Sequence, residues 1–347
     1  MSIDRCMKDL QTVDKHYSRV YIGYTAYSLY LYLLYSSLEE IKETFFFVGE
    51  GIHENIRNQL CNKYYFSNGE YEKKRPLSRI IHRIRLRLCS RRKWPFLRTA
   101  QIFAQDHFYY SRGLIGRRKY TLIEDAPNIF TCHRDRINRF NHSKTVFLKG
   151  LLYQILENSY NGEFGDNGSC KAVLITNMES DPILTGKELI QVHDVQYWNQ
   201  ATEAKQTEIL SVFNISSEDL VQLKKRKVIL LSQNFATLGY VSEQELVDIY
   251  AERLKEYSQD DIVIKNHPLD RVQYQKYFPE VFVFDKVVPM QLMNLLDIRY
   301  GTVVTICSSA AFSFPYDIHI DWIGTESNPK LFAALGKQEL KINATRL

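Results

Sequence analysis

Short runs of β-branched and aromatic residues alternate along this chain with longer stretches of helical period, and turn residues divide them. Residues 19–24 (RVYIGY) read as a first strand, Thr25 stands where a helix N-cap belongs, and 27–40 has helical length and pattern. Residues 44–48 (TFFFV) form a second strand that closes on Gly49-Glu50-Gly51, with a helix over 53–60 behind it. Further strands are expected at 120–123 and 172–176, the first ending in the loop 124–128. The Gly- and Asn-rich stretch 160–169 predicts a flexible loop. A polar helical stretch over 202–212 leads into a second series: strand 228–233, helix 242–257, strand 261–264, short helix 271–277, strand 281–284, helix 289–296 and strand 302–307. Strand–helix–strand order in both halves predicts an α/β protein of two doubly wound parallel sheets, with domains at 1–205 and 206–347 and a cleft between them.

One segment breaks this pattern. Between 73 and 98 the chain carries Lys73, Lys74, Arg75, Arg79, Arg83, Arg85, Arg87, Arg91, Arg92, Lys93 and Arg98. Leu77, Ile80, Ile81, Ile84 and Leu88 fall on one side of a helix within it. Two readings follow. In one, the apolar stripe packs on the core and the basic face is solvated. In the other, the helix docks on anionic lipid headgroups. Nothing resembles a base-reading module, so nucleic acid is not expected as a partner.

With 347 residues and 45% hydrophobic content, two ordinary cores can be built, and the net charge of +5 is modest. The six cysteines are scattered, without paired or metal-type spacing, and read as reduced thiols of a cytosolic protein. His107, His133 and His319 also lack metal spacing, and no metal or other cofactor is expected. The first fifteen residues are charged rather than signal-like, and the aromatic stretch 24–38 is too short and polar to span a bilayer. The expectation is a cytoplasmic protein, soluble or peripheral at the inner face of the membrane. The sequence is compatible with a homodimer.

The chemistry concentrates at strand ends, where open α/β sheets bind ligands. Lys265, His267 and Pro268 close the strand 261–264, and Ser308-Ser309 close the strand 302–307. A cation, an imidazole and two hydroxyls can hold a phosphate and protonate it as it leaves. Pro268 rigidifies the turn, and a serine capping a helix start beside free amides is already an anion site. Glu124 and Asp125 end a strand of the first half, and either could take a proton from an attacking hydroxyl.

In these residues the chain resembles the bacterial sialyltransferases of the lipooligosaccharide type, glycosyltransferase family 52. Residues 20–27 are similar to that family's first strand and turn, Ile123-Glu124-Asp125-Ala126 to its paired-carboxylate motif, and Lys265-Asn266-His267-Pro268-Leu269-Asp270 to its Lys-x-His-Pro-Arg-Asp motif. Pro289-Met290-Gln291 and Ser308-Ser309 resemble its Pro-Phe-Glu and closing serine patterns. Three positions differ: Ala126 replaces Gly, where a positive φ would strain it, Gln291 replaces Glu, and Leu269 replaces Arg, with Arg271 nearby. The resemblance implies a GT-B fold and inverting, metal-independent transfer of a sugar from a CMP-activated donor, typically CMP-sialic acid. The acceptor would be a galactose-type hydroxyl on a glycan or glycolipid of a capsule or lipooligosaccharide. It implies His267 as the acid toward the CMP phosphate, Ser308 and Ser309 as its holders, Glu124 or Asp125 as the base, and Gln291 at the ribose. A transferase using another CMP or UDP sugar or a CDP-polyol of the teichoic acid type, and an inactive nucleotide- or glycan-binding relative, are the alternative readings.

Overall fold

In the computed structural model the described residues are 16–339, apart from 133, 136, 139–147, 149, 153 and 156–158. Cys6 and His133 therefore lie outside them. The chain divides into two compact units, Met1–Val212 and Phe213–Leu347.

The first unit is built on a seven-stranded sheet in the order β3-β2-β1-β4-β5-β6-β7. Its strands are β1 Arg19–Gly23, β2 Thr44–Gly49, β3 Lys63–Phe66, β4 Gln101–Ala104, β5 Tyr120–Ile123, β6 Cys170–Ile175 and β7 Glu188–Gln191. Every neighbouring pair is parallel. The second unit has five parallel strands in the order β10-β9-β8-β11-β12. These are β8 Val228–Leu231, β9 Ile262–Lys265, β10 Phe282–Phe284, β11 Thr302–Thr305 and β12 His319–Trp322. In each sheet the chain starts at the centre, winds to one edge, then crosses back. The topological switch points therefore lie between β1 and β4 and between β8 and β11.

Parallel sheets are covered on both faces, which explains strands with no polar side. All six residues of β2 are buried, and Phe45, Phe47, Phe66, Trp94, Phe96 and Tyr110 share one core. The strands absent from the sequence expectation, β3, β4, β7 and β12, are only four residues long and include polar residues, too little to establish a period. The helix expected over 27–40 is two helices, Ala26–Tyr35 and Leu38–Lys42. The Ser37 side chain accepts from the Glu40 N–H at 3.2 Å and the Glu40 carboxylate accepts from the Ser37 N–H at 2.8 Å, a capping box that restarts the chain. Ser28 through Leu34 are all buried, so the aromatic stretch that could suggest a membrane is a core helix. The helices expected at 271–277 and 289–296 shrink to single turns, Tyr274–Lys276 and Met290–Met293.

The loop 160–169 is not loose. The buried Asp106 carboxylate accepts from the N–H groups of Phe164 (2.7 Å) and Gly165 (2.8 Å), from the Asn167 amide and from the Tyr120 hydroxyl. Arg112 donates to the Tyr160 carbonyl at 2.8 Å and to Glu163 at 2.7 Å. Gly162 and Gly165, at φ 86° and 83°, supply the turns that let the segment fold back.

The basic helix Pro76–Lys93 also departs from expectation. Its buried residues are Arg83, Leu86 and Ser90, while Leu77, Ile81 and Leu88 are 69%, 43% and 61% exposed. Leu86 fits against Gly113 of the helix Tyr109–Ile115, where a Cβ would come within 3.1 Å of it. That close approach selects the inward face and leaves most of the aliphatic stripe outside.

Candidate active site

In the second unit, β9 delivers Lys265 to its last position. The side chain is 5% exposed, and its ammonium has no hydrogen bond or ion pair among the described residues. Burial alone pulls its pKa from the usual 10.5 down to about 8. An unpaired buried cation is costly unless something anionic arrives.

Pro268 occupies the second position of a turn closed by the Asp270 N–H on the His267 carbonyl at 2.9 Å, where proline's fixed φ fits. The Leu269 N–H donates to His267 Nδ1 at 3.1 Å, so the neutral ring carries its proton on Nε2. The His267 N–H donates to Ser232 Oγ at 2.9 Å, and the Ser232 hydroxyl donates to Asp270 at 2.8 Å. Asp270 also accepts from the Tyr274 hydroxyl at 2.9 Å and the Val272 N–H at 3.1 Å. Burial lowers the His267 pKa, Asp270 opposes that, and Lys265 adds to it.

Ser308 caps the turn Ser309–Phe312: its Oγ accepts from the Ala310 N–H at 3.3 Å and its own N–H donates to Thr305 Oγ1 at 3.1 Å. Ser309 is exposed beside it. β8 lies between β9 and β11, which puts the ends bearing Lys265 and Ser308 two strand spacings apart, about 10 Å. Ser232 and Gln233 fill that interval, and the Cys307 thiol contacts Gln233 Oε1 at 3.0 Å. The fold thus brings Lys265, His267, Pro268, Ser308 and Ser309 to one edge of one sheet. Gln291 is half-buried on the turn Met290–Met293 and shares no hydrogen bond with them among the described residues. Ser232 was missed by the sequence reading, its only signal there being its place at the end of β8, and Asp270 was read as the closing residue of the Lys-x-His-Pro-Arg-Asp resemblance without a role of its own.

In the first unit the two adjacent carboxylates part company. Glu124 is 1% exposed and turns inward: its Oε1 accepts from the Thr176 N–H (2.9 Å), the Thr176 hydroxyl (2.6 Å) and the Tyr27 hydroxyl (2.5 Å). Its Oε2 is buried with no hydrogen-bond partner among the described residues. Burial outweighs those donors and pushes its pKa up to about 7. Asp125 turns toward the switch point. Its Oδ1 accepts from the Gln105 amide, and His107 Nε2 stands 3.8 Å from its Oδ2. Gln105 in turn accepts from the Tyr24 N–H at 2.6 Å, which ties the end of β4 to that of β1. Tyr24 stacks on Phe108 at 4.5 Å. In the following loop the positive φ belongs to Asn128 (57°) and not to Ala126, so alanine is unstrained where the family pattern has glycine. Gln105 was also missed by the sequence reading, which weighed His107 only as a metal ligand and Tyr24 only as part of the first strand and turn.

A cavity of about 390 Å³ lies elsewhere in this unit, lined by Tyr35, Glu40, Tyr197 and Lys205. The Lys205 ammonium is engaged there by the Leu34 carbonyl at 2.6 Å. Among the described residues no cluster of three or more His, Cys, Asp or Glu side chains could hold a metal ion, and no helix is long and apolar enough to cross a membrane.

Two Rossmann-like parallel sheets in succession, with polar residues gathered at strand ends and switch points, are the architecture of the GT-B type. The chain belongs to glycosyltransferase family 52, whose model matches residues 52–325. A relative in Haemophilus influenzae, described as an uncharacterized protein, is 28% identical over 240 residues, 69% of this chain and 72% of its own length. Among solved structures, the sialyltransferase from Photobacterium damsela is similar with a TM-score of 0.50 and 13% identity, over 92% of this chain and 79% of that one. The α/β-galactoside α-2,3-sialyltransferase of Photobacterium phosphoreum gives 0.51 and 13%, over 89% and 90%. A Photobacterium 2,6-sialyltransferase, solved with CMP and lactose, gives 0.53 and 11%, over 88% and 70%. At these identities the likeness is one of fold.

Proposed function

We propose that this glycosyltransferase moves sialic acid from CMP-sialic acid to a galactose-type hydroxyl, with inversion and without a metal, in capsule or lipooligosaccharide synthesis at the inner face of the membrane. The observation that carries the reading is Lys265, a buried ammonium without a partner among the described residues, at the strand end that also bears His267. A CMP sugar presents one phosphate, and one buried cation suits its charge. The Ser308 and Ser309 hydroxyls add neutral donors.

The bond from the anomeric carbon to the phosphate oxygen breaks, and its electron pair leaves with CMP. His267 can donate its Nε2–H to the departing phosphate; as the acid it acts in its imidazolium form, in which Nδ1 carries a proton in place of the Leu269 N–H contact, and it gives the phosphate one proton and returns to the neutral ring. The acceptor oxygen bonds to the anomeric carbon from the opposite face and passes its proton to Asp125. Asp125 is the better base of the two carboxylates, because Glu124 is sealed inside and spends one oxygen on three donors. Gln291 is assigned to the ribose hydroxyls.

The test is a thermal-shift series with CMP, UDP and GDP, followed by product assays with CMP-sialic acid and CDP-glycerol. Selective stabilisation by CMP and CMP release from CMP-sialic acid are expected. His267→Ala should keep CMP binding and lose turnover by about 10²-fold or more. Turnover of CDP-glycerol instead would move the protein to polyol-phosphate transfer, and near-normal turnover by the alanine variant would remove His267 as the acid.

A further inference from the structure

The basic helix Pro76–Lys93 presents an arrangement that sugar transfer does not use. Leu77, Ile81, Arg85, Leu88 and Arg92 follow one another at steps of four, four, three and four, a single line along a helix, and all five are exposed. A helix on the surface of a soluble protein turns its polar residues outward. Here the outward line carries three large aliphatic side chains, while Arg83 is buried. From 73 to 98 there are eleven Lys or Arg and no Asp or Glu. Some of these cations serve the fold itself: Arg79 donates to the Lys74 carbonyl at 2.9 Å, and Lys93 lies over the rings of Tyr64 and Trp94. Lys73, Arg75, Arg85, Arg92 and Arg98 are exposed.

We propose that this helix lies flat on an anionic lipid bilayer, with Leu77, Ile81 and Leu88 at the acyl boundary and the flanking cations among the headgroups. The inference rests on the membrane-side reading above, but not on the identity of the donor. Charge selects the occupant. A second copy meeting this face with its own would set two strongly basic helices together, which repel. Zwitterionic lipid would cover the aliphatic line but offer no net charge to a segment with eleven Lys or Arg. The helix is not apolar enough to span a membrane, so it lies on the surface.

Its direction adds a consequence for the first unit. The helix belongs to the connection that leaves the end of β3 and returns to the start of β4, so it starts on the side of the sheet where the strands end. Tyr71, just before it, stacks on Tyr109 at 3.9 Å and fastens that start to the unit. The end of the helix carrying Leu77 and Ile81 is therefore on the same side of the sheet as Asp125. Docking would bring that edge toward the bilayer.

The test is sedimentation of the full chain with vesicles of phosphatidylcholine alone and of phosphatidylcholine with 30% phosphatidylglycerol, at low and high salt (an anionic fraction of about a third matches the charged regime). Binding is expected to the anionic vesicles only, weakened by salt. Leu77→Gln/Ile81→Gln/Leu88→Gln and, separately, Arg85→Gln/Arg92→Gln should each lower it by about tenfold or more. Circular dichroism melts confirm that the variants fold, and transfer to free lactose without vesicles should match the parent. Failure of the parent to bind anionic vesicles, equal binding by both variants, or a dimer that the triple variant dissociates without vesicle binding would each overturn the docking. Vesicle binding without transfer from CMP-sialic acid would instead remove the donor assignment and leave the docking intact.

Discussion

Replacing Lys265 with methionine should make the free protein more stable and the enzyme useless. The two side chains have similar length and volume, so the exchange removes the charge and little packing. Burial holds the Lys265 pKa at about 8 against its usual 10.5. At about 1.4 kcal/mol per tenfold change in acidity, the buried charge destabilises the fold by about 3 kcal/mol at pH 7. Below pH 8 the amine is charged in folded and unfolded chains alike, and the cost is fully present. Between 8 and 10.5 the folded chain gives up its proton first, and the cost shrinks to about 1.4 kcal/mol at pH 9.5. For a unit the size of Phe213–Leu347, 1 kcal/mol moves the melting midpoint by about 3–5 °C, so the variant should melt about 10 °C higher at pH 7. At pH 9.5 less than half of that gain should survive. CMP should raise the midpoint of the parent and leave the variant where it is. Scanning fluorimetry at the two pH values, with and without CMP, measures all four quantities. A variant no more stable than the parent at pH 7, or a gain equal at both pH values, would refute the buried-charge reasoning. A CMP response that survives the substitution would take Lys265 out of the phosphate site.

The carboxylates of the first unit make the opposite pair of predictions. The Glu124 pKa is raised to about 7 from its usual 4.5, so the folded chain holds that proton more tightly, and stability should fall as pH climbs from 4.5 to 7 and level off above. Glu124→Gln should flatten this slope, gaining up to about 3 kcal/mol at pH 8 relative to pH 4.5, as thermal melts would report, and should keep kcat within about tenfold. Asp125→Asn should lower kcat by about 10²–10⁴-fold, and the reverse ranking would make Glu124 the base. Asp270→Asn removes the one neighbour that raises the His267 pKa, so the imidazole should titrate at lower pH and the fall of kcat/KM with rising pH should begin earlier. An unchanged pH profile would reduce Asp270 to holding the turn.

Both sheets were legible in the sequence where their strands are continuous and apolar. The strands at 19–23, 44–49, 228–231 and 262–265 could be read because burial on both faces demands such runs. β4 and β12 could not, since QIFA and HIDW become strands only by pairing with neighbours already in place. The candidate site follows the same division. Lys265, His267 and the serines stand out because cations, imidazoles and hydroxyls at strand ends have few structural uses. Ser232, Gln105 and Asp270 do their work through partners 35, 80 and 38 residues away, as in His267–Ser232, Thr25–Gln105 and Ser232–Asp270. No local pattern encodes such pairings. The basic helix shows the converse limit. Its period was plain, but which face turns inward was decided by Gly113, a residue on another helix.

The buried Asp106 gives the stretch 160–169 a property its composition conceals. Glycine and asparagine in a connecting segment ordinarily invite a protease, which needs several residues of extended backbone in its groove. Here the Phe164 and Gly165 amides and the Asn167 side chain are already committed to a carboxylate inside the sheet. Freeing them means drawing Asp106 and Tyr120 away from their contacts, at the ends of β4 and the start of β5. Cleavage within 160–169 should therefore be slow and keep pace with opening of the whole first unit, which would make a nick there a sensitive gauge of that unit's integrity.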